Sequence, residues 1–475
     1  SRAAPALRNG VNMTTHTRTV AVVILLLSMS GAAGQTTYSR IAIGDRWYIR
    51  CLRESNDLPP GAESGGHFAE RPPGAALTYR HWDSIGQPRY LYFSQFGAWG
   101  GLLREELIDS SQPPGGAIPL CVTNSSHTWL LWLQDSDTAL AQVRDALGDP
   151  IGPSFPVSEG ISFEASGRDF ALEVSPTTAW IGQQVRPPGP VQLDILLRKY
   201  TVEGQLEGAV TIDSGQGEAY TRLTEAPNGS LYMAYLRGNF GSGVIEAVLH
   251  RVDADLTVSE SVVVDVPSIV GGRIYARALA DNTILVAWGR SPAGSAAFVR
   301  RYNLDLTPAG PAIAIDPDWR WAHADAAGNL IVGRDPGQAW IRLYDAAGNA
   351  LSDRITVLGP PEYPLSSFND ASRPFILKDD GTIYALFVAM GNFDLPDDSY
   401  ISVFRPYEPG DCNYDGRINN FDIDAFVLAL SDGPAYEARY HIPAEVGRIL
   451  GDVNEDGALN NFDIDPFVEL LVSQP

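Results

Sequence analysis

The sequence predicts a mainly β protein, a β-propeller of six to eight blades, with a small helical domain after it. Three observations support this prediction. The chain of 475 residues contains 46 Gly and 34 Pro, and this much turn chemistry beside many Val, Ile, Tyr and Trp residues favours β structure. A strand–turn–strand phrase recurs through the middle of the chain. Two near-identical segments rich in Asp, Asn and Gly stand at its end.

The recurring phrase begins with an apolar run after a turn, as in NGSLYMAYLRG, DNTILVAWGRS and DGTIYALFVAM. These runs start near residues 90, 128, 178, 230, 283, 329 and 382, so successive spacings lie between 38 and 53 residues. This length suits a four-stranded propeller blade, which hides its apolar faces against its neighbours. A pair of β-sandwiches also gives short strands with turn signals and is the alternative. We assign residues 35–405 to the propeller.

A secretion signal is predicted ahead of the propeller. Residues 13–34 begin with Met13, carry Arg18 before an apolar run, and end in small residues. This order is typical of a signal peptide, and the apolar run is too short to span a bilayer. We therefore expect cleavage before Gln35 and a protein that is secreted or displayed at the cell surface, with no membrane span after cleavage. Residues 1–12 precede the first Met and are treated as an upstream or non-native segment.

The overall charge and the cysteines limit the classes of function. A net charge of −23 disfavours nucleic acid and anionic lipid as partners, because both are bound through surfaces of Lys and Arg. Three cysteines are too few for a disulfide scaffold. Cys51 and Cys121 could form one bridge, which the sequence does not decide.

The propeller region shows no catalytic motif, so the sequence leaves open whether it is an enzyme. Metalloprotease, nucleophile-elbow and phosphate-loop patterns do not occur, and the six His outside the signal peptide are scattered singly. Tryptophans beside charged residues could bind a sugar by stacking and hydrogen bonding. The alternative is that they fill the space between blades. The candidate ligand-binding residues are Asp318, Trp319, Arg320 and Trp321 in one stretch, and His81 and Trp82 in another.

Each C-terminal segment has the ligand pattern of a calcium loop. Oxygen-bearing side chains recur at positions 1, 3, 5, 9 and 12, position 7 supplies a backbone carbonyl, and Gly at position 6 permits the sharp turn. We therefore predict two bound Ca²⁺ ions. Two acidic surface turns, the alternative, would need the same spacing twice by chance. The predicted ligands are Asp411, Asn413, Asp415, Arg417, Asn419 and Asp422 in the first copy, and Asp452, Asn454, Asp456, Ala458, Asn460 and Asp463 in the second.

A helix is predicted directly after each loop and none closely before it. Apolar residues follow the loops with helical spacing, at Ile423, Phe426, Val427 and Leu430, and again at Ile464, Phe467, Val468 and Leu471. The tandem loop–helix pattern, with Asp at position 12, resembles the type I dockerin domain over residues 410–472.

The resemblance to dockerins implies a module that folds around two Ca²⁺ ions and docks into a cohesin domain. It also implies an association with polysaccharide-degrading enzymes. Loop positions 10 and 11, which contact cohesin in dockerins, are Asn420–Phe421 and Asn461–Phe462 here instead of small polar residues. We expect these four residues to bind the partner, which is a cohesin-like protein, another surface protein or the protein's own propeller.

The sequence thus predicts an exported protein that is attached or assembled through its C-terminal module. Its propeller is expected to serve carbohydrate binding or polysaccharide breakdown. Two alternatives stay open, a propeller glycoside hydrolase or polysaccharide lyase and a purely structural cell-surface protein.

Overall fold

The computed structural model contains a ring of seven antiparallel sheets followed by short helices. It describes residues 36–43, 46–54, 62–71, 74–82, 89–99, 102–112, 119–134, 138–158, 170–185, 194–212, 217–239, 244–265, 273–290, 296–334, 339–356, 365–367, 373–390 and 398–473. The predicted upstream segment and signal peptide, residues 1–34, lie outside this part. The propeller prediction is confirmed, with seven blades.

The strands follow one another blade by blade. Two strands come first, β1 (Thr36–Ile43) and β2 (Arg46–Glu54). Blades 1 to 3 contain β3 (Ala62–Arg71), β4 (Gly74–Trp82), β5 (Arg89–Phe96) and β6 (Leu102–Gln112); β7 (Leu120–Thr123), β8 (Thr128–Leu133), β9 (Ala139–Arg144) and β10 (Phe155–Pro156); and β11 (Phe170–Val174), β12 (Thr178–Val185), β13 (Asp194–Thr201) and β14 (Leu206–Ile212). Blades 4 to 6 contain β15 (Gly217–Glu225), β16 (Leu231–Asn239), β17 (Val244–Val252) and β18 (Val258–Asp265); β19 (Arg273–Ala278), β20 (Thr283–Gly289), β21 (Ala297–Asn303) and β22 (Ile313–Ile315); and β23 (Trp321–Ala324), β24 (Leu330–Arg334), β25 (Trp340–Tyr344) and β26 (Ile355–Thr356).

Blade 7 joins the two ends of the propeller. Its strands β27 (Leu365–Ser367), β28 (Phe375–Leu377), β29 (Ile383–Met390) and β30 (Asp398–Tyr407) pair onward with β2 and β1. Cys51 of β2 lies opposite Val403 of β30 in this pairing. The first strand of each blade contacts the first strand of the next, and β28 contacts β3, so the ring is closed. This closure excludes the two-sandwich alternative.

The cores lie between the blades, as blade stacking requires. Seven clusters of buried apolar side chains each join one adjacent pair of blades. In the cluster between blades 3 and 4, for example, Trp180 of β12 meets Leu231 and Met233 of β16. The cluster between blades 7 and 1 also includes the C-terminal helices.

The recurring sequence phrase corresponds to the middle strands of the blades. Six of the seven apolar runs coincide with second strands, such as β16, β20 and β29, and the run near residue 90 is β5, a third strand. Middle strands are buried on both faces and so are continuously apolar. The pattern of apolar runs does not mark the innermost strands, because several of them carry charged or polar residues.

Polar side chains on the innermost strands bond the backbone of the next blade. The backbone N–H of Ala278 donates to Thr224 Oγ1 at 2.8 Å, that of Ala324 to Tyr275 Oη at 2.8 Å, and that of Leu377 to His323 Nδ1 at 3.1 Å. We call these contacts inter-blade latches. They satisfy N–H groups that no strand ladder reaches.

The C-terminal region is helical. It contains α1 (Asp422–Ser431), α2 (Gly433–Tyr440), α3 (Ala444–Gly451), the 3₁₀ turn Asn461–Asp463 and α4 (Ile464–Ser473). Phe426 of α1 and Phe467 of α4 stack with ring centroids 4.2 Å apart and planes 5° from parallel. The two sequence copies therefore meet at equivalent residues.

Two expectations about these helices were wrong. Helix α3 ends at Gly451, directly before the second loop, although no helix was predicted there; its buried Val446 and Leu450 lie in a segment interrupted by Gly and Pro. The predicted apolar stripe of α1 also does not form one buried face, because Phe426 is buried while Ile423 and Val427 are exposed. Small Ala425 and Ala429 complete the buried face of α1 instead.

All three cysteines are buried free thiols. Cys51 lies in the core between blades 7 and 1, and Cys121 in the core between blades 1 and 2. The bridge considered between them is therefore absent. Among the described helices, none has the length and apolar character needed to cross a membrane.

Candidate metal centres and central channel

The first C-terminal loop folds around its position-1 and position-12 carboxylates. Asp411 accepts the backbone N–H groups of positions 5 and 6 at 3.1 and 3.0 Å. Asp422 accepts those of positions 3 and 9 at 3.0 and 2.9 Å. The chain turns through positive φ at Tyr414 (57°) and Gly416 (83°), and the latter is the position for which the sequence supplies glycine.

The second loop repeats this geometry. Asp452 accepts N–H groups from positions 5 and 6 at 3.1 and 3.0 Å, and Asp463 accepts from positions 3 and 9 at 3.1 and 2.9 Å. The left-handed residues are again at positions 4 and 6, Glu455 (60°) and Gly457 (93°). Two stretches 41 residues apart in sequence thus adopt one loop conformation.

The loops hold buried negative charge that is poorly compensated. Asp411, Asp422, Asp452 and Asp463 are all buried. Burial raises the pKa of Asp411 to about 6, and the neighbouring Asp422 adds to the rise. Burial likewise raises the pKa of Asp422 and of Asp452. Within the described residues, the first loop has no Lys or Arg as an ion-pair partner, so a divalent cation would relieve its charge.

The donor set fits a hard cation in its chemistry. Each loop provides three Asp carboxylates, Asn amide oxygens at positions 3 and 9, and the position-7 carbonyl, here of Arg417 or Ala458. A search of the described residues finds no three His, Cys, Asp or Glu side chains grouped to hold a metal ion. In this conformation the position-1 and position-12 carboxylates are turned toward backbone N–H groups.

The propeller contacts the two loops differently. At the first loop, Tyr414 packs edge-on against Trp99 at 5.0 Å, and the guanidinium of Arg405 lies over its ring at 4.3 Å. At the second loop, Arg40 of β1 lies 3.5 Å from Asp452 Oδ2 and donates to the Glu455 carbonyl at 3.3 Å. The module is thereby joined to blade 7 through both loops.

The predicted partner-binding residues are at the surface. Phe421 is 78% exposed and Phe462 is 79% exposed, and Asn420 and Asn461 beside them are also exposed. Exposed apolar residues continue along each following helix. We call these two surfaces the paired apolar strips, Phe421, Ile423 and Val427 in the first copy and Phe462, Ile464 and Val468 in the second.

The predicted sugar-binding tryptophans are in the cores. Trp319 is 2% exposed in the cluster between blades 5 and 6, and Trp321 is 8% exposed in the cluster between blades 6 and 7. Asp318 forms an ion pair with Arg334, and Arg320 lies over the Trp321 ring at 4.6 Å. Neither indole presents an exposed face for stacking.

His81 and Trp82 are the last two residues of β4. Their side chains lie outside the described part of the structure, so their predicted role stays a prediction.

The central channel holds a charged cluster that the sequence did not reveal. The second-to-last residue of each innermost strand occupies an equivalent place in the ring. In blade order these residues are Glu70, Val122, Glu173, Thr224, Arg277, His323 and Ile376. Four of the seven are ionisable, and they belong to blades 1, 3, 5 and 6.

Side chains from non-adjacent blades approach each other at this level. Arg277 Nη2 of blade 5 lies 3.7 Å from Glu70 Oε1 of blade 1, and His323 Nε2 of blade 6 lies 3.8 Å from the same oxygen. Both separations are too long for hydrogen bonds. Glu70 Oε1 is buried and accepts no hydrogen bond in the described structure.

Further ionisable groups interact with this layer. Arg373, just before β28, forms a backbone bridge beside His67 of β3 and interacts electrostatically with Glu70, Glu173 and Arg277. Burial raises the pKa of Glu173 to about 7, although Arg277 and Arg373 act to lower it. Glu173 is deep within the ring yet partly accessible to solvent, as expected for a channel wall.

The channel histidines are neutral at neutral pH. Burial, and then the charge of Arg373, lowers the pKa of His67 and of His323 well below its ordinary value. Both Nδ1 atoms contact the backbone of the next blade: His323 Nδ1 accepts the N–H of Leu377 at 3.1 Å, and His67 Nδ1 lies 2.7 Å from the carbonyl oxygen and 3.0 Å from the nitrogen of Cys121. Each histidine therefore has a structural role, and His323 also turns Nε2 toward Glu70.

A positional signal could have found the channel layer. Glu173, Thr224, Arg277 and His323 each precede the start of a second strand by five to seven residues. The apolar runs mark those starts, so counting back from them would have located the polar positions. Counting along the sequence does not tell which of these residues meet across the ring.

No protein-family model matches this chain, and no curated protein matches it. Solved structures resemble it in fold, among them the following three. One is a protein of unknown function from Dyadobacter fermentans, with 13% identity, covering 74% of this chain and 96% of that one at a TM-score of 0.44. Another is an ulvan lyase of a new polysaccharide lyase family, with 11% identity, covering 72% and 94% at 0.46. The third is a neuraminidase-like protein of bat influenza subtype N10, with 8% identity, covering 77% and 97% at 0.40.

Proposed function

We propose that this is an exported protein whose C-terminal module binds two Ca²⁺ ions and attaches it to a partner, displaying a propeller that serves carbohydrate binding or polysaccharide breakdown. The observation that carries the proposal is the pair of matching loops, in which buried carboxylates at positions 1 and 12 recur in the same conformation. Asp411, Asp422, Asp452 and Asp463 would share in holding the ions, and Ca²⁺ would supply positive charge against these buried carboxylates. The paired apolar strips support attachment, since exposed apolar surface of this kind marks interaction sites.

Calcium titration of the full chain tests the metal sites. We expect two Ca²⁺ per chain by calorimetry, and one after either Asp422→Ala or Asp463→Ala, because each variant removes a buried position-12 carboxylate. Asp255→Ala, an exposed turn residue that caps Thr257, is the matched control and should keep two ions. Binding of fewer than two ions to the unaltered chain, or no effect of either loop variant, would refute the proposal.

Immobilised cohesin domains test the partner. We expect capture of the full chain in Ca²⁺, loss of capture in EDTA, and loss after the double change Phe421→Ser and Phe462→Ser, which leaves the buried Phe426–Phe467 stack in place. Val258→Ser, at an exposed apolar residue on blade 4, is the control. Capture that is equal with and without the two phenylalanines would exclude the strips as the docking surface.

A second candidate function is polysaccharide cleavage in the channel, by a glycoside hydrolase or a polysaccharide lyase. It is favoured by Glu173, because a carboxyl group with a pKa of about 7 suits proton transfer at neutral pH. Release of reducing ends or of unsaturated uronates from a polysaccharide panel, abolished by Glu173→Gln, would support it. A channel that binds sugars without any product release would exclude it.

A further inference from the structure

We propose that the central channel is a binding site for an acidic saccharide, whose carboxylate or sulfate group is held by Arg277 and Arg373 and whose hydroxyl bonds Glu70. The inference rests on the carbohydrate role proposed for the propeller and names the class of sugar. It does not depend on the calcium loops.

Two arginines in the channel have unused hydrogen-bond donors. Among the described residues, neither Arg277 nor Arg373 donates a hydrogen bond, and the shortest contact of Arg277 is the 3.7 Å approach to Glu70. A guanidinium has five N–H donors, and both arginines are partly accessible, so a ligand in the channel can reach those donors. Planar forked donors of this kind match carboxylate and sulfate oxygens.

The carboxylates near these arginines do not use up their hydrogen-bond donors. Arg277 and Arg373 interact electrostatically with two carboxylates, Glu70 and Glu173. Lys378 and Asp379 contribute one charge of each sign to the surroundings of Glu70. The nearby Glu225 is already engaged by the Thr178 hydroxyl and by the Trp180 indole at 2.7 Å. Among the described residues, Glu70 and Glu173 accept no hydrogen bond from either arginine, so in a protein of net charge −23 the channel keeps guanidinium donors for an anionic ligand.

Glu70 has a carboxylate oxygen without a hydrogen-bond partner beside these groups. Its Oε1 is buried, has no hydrogen-bond donor, and lies 3.7 and 3.8 Å from Arg277 and His323. A group between polar atoms so separated can bond all of them. A hydroxyl group fits, because it donates to the carboxylate and accepts from the guanidinium or from the His323 Nε2–H. A ligand that has both an anionic group and hydroxyls is a uronate or a sulfated sugar.

Calorimetry with matched oligosaccharides tests the proposal on the full chain. Oligoglucuronate and cello-oligosaccharide share one β-linked glucose backbone and differ in the carboxylate, and a sulfated oligosaccharide separates the two anionic sources. We expect oligoglucuronate or the sulfated sugar to bind at least about tenfold more tightly than the cello-oligosaccharide. Equal binding of charged and neutral sugars would overturn the acidic class while leaving the carbohydrate role intact. No binding of any sugar would overturn both.

Variants distinguish a ligand contact from a structural one. Arg277→Gln and Arg373→Gln should each weaken acidic-sugar binding about 10- to 100-fold, because each removes a charge-assisted bond. Glu70→Gln should bind the acidic sugar at least as tightly as the unaltered chain, since it removes a competing negative charge and keeps an acceptor. A loss of binding in Glu70→Gln equal to that in the arginine variants would overturn the assignment.

Two controls complete the test. Arg290→Gln, at an exposed arginine paired with Asp265 at 2.9 Å, should leave binding unchanged, and a loss there would show that the effect is not specific to the channel. Asp422→Ala, which is designed to lose one Ca²⁺, should bind the acidic sugar as the unaltered chain does. This variant therefore distinguishes a failure of the proposed calcium sites from a failure of the proposed sugar site in the channel.

Discussion

Buried carboxylates are the most informative single residues of this protein. Those of the two C-terminal loops lie close to other carboxylates, whereas Glu70 and Glu173 face arginines across the channel. In both places burial is the largest cause of a raised pKa. The difference lies in the neighbours, because the first loop is without a paired cation among the described residues, whereas Arg277 and Arg373 act on the channel carboxylates.

Glu173 makes the stability of the propeller depend on pH. Its folded pKa of about 7 lies above its usual value of 4.5, so between these values the folded state keeps a proton that the unfolded state releases. The contribution is fully present below the unfolded pKa and is lost as the pH rises to the folded pKa. Glu173→Gln mimics the protonated group. We expect this variant to have a higher melting temperature than the unaltered chain above pH 7, and the same melting temperature near pH 4.

Thermal melts of both proteins across this range, in saturating Ca²⁺, measure the difference. Arg277, Arg373 and Glu225 are the charged groups that act on Glu173, and all three are kept in the variant. A melting difference that is constant with pH would mean that Glu173 does not titrate in this range.

At the scale of elements, the inter-blade latches explain why polar residues occupy the innermost strands. The innermost strand of each following blade presents backbone N–H groups, and a hydroxyl, imidazole or carboxyl group of the preceding blade accepts them. Thr224 forms only this contact among the described hydrogen bonds, Tyr275 also packs in the core between blades 5 and 6, and Glu173 and His323 also face the channel. Residues at these positions of the innermost strands thus have two roles: they join neighbouring blades, and they form the candidate site.

Thr224→Val should destabilise the propeller. The change keeps the shape of a buried side chain but leaves the Ala278 N–H without its 2.8 Å acceptor, and an unsatisfied buried donor costs about 1–3 kcal/mol. Thr382→Val is the matched control, because the Thr382 hydroxyl is buried with no hydrogen-bond partner in the described structure. Chemical denaturation should show a loss for the first variant and little change or a gain for the second. Equal effects would argue against the latch.

At the scale of the whole molecule, the module and the propeller share one core. Phe426, Tyr436 and Phe467 of the helices lie in the same buried cluster as Ile49 of β2 and Tyr384 of β29. Helix α3 also contacts β1, the outermost strand of blade 7, which covers an edge that would otherwise be open to pairing. The module therefore lies against the blade where the two ends of the propeller meet.

Calcium removal should consequently weaken the whole molecule. A ligand that binds only the folded state stabilises it by about 4 kcal/mol at a thousand times its Kd, and the shared core transmits this to blade 7. We expect one cooperative melting transition, seen equally by helical and β signals, at lower temperature in EDTA than in Ca²⁺. The double variant Asp422→Ala and Asp463→Ala should be insensitive to EDTA. A β transition that EDTA leaves unchanged would show that the module melts on its own.

The sequence by itself determined the local features of this protein. Apolar runs at blade spacing predicted the propeller because middle strands are buried on both faces, and the spacing of Asp411 to Asp422 predicted a calcium loop because its ligands lie within one turn of chain. The burial of Trp319 and Trp321, the division of the α1 stripe, and the meeting of Glu70 with Arg277 were decided only by the tertiary structure. Each of these depends on residues far apart in the chain, 207 positions in the last case. The closing of the ring brings them together, and no local pattern encodes which blades face each other.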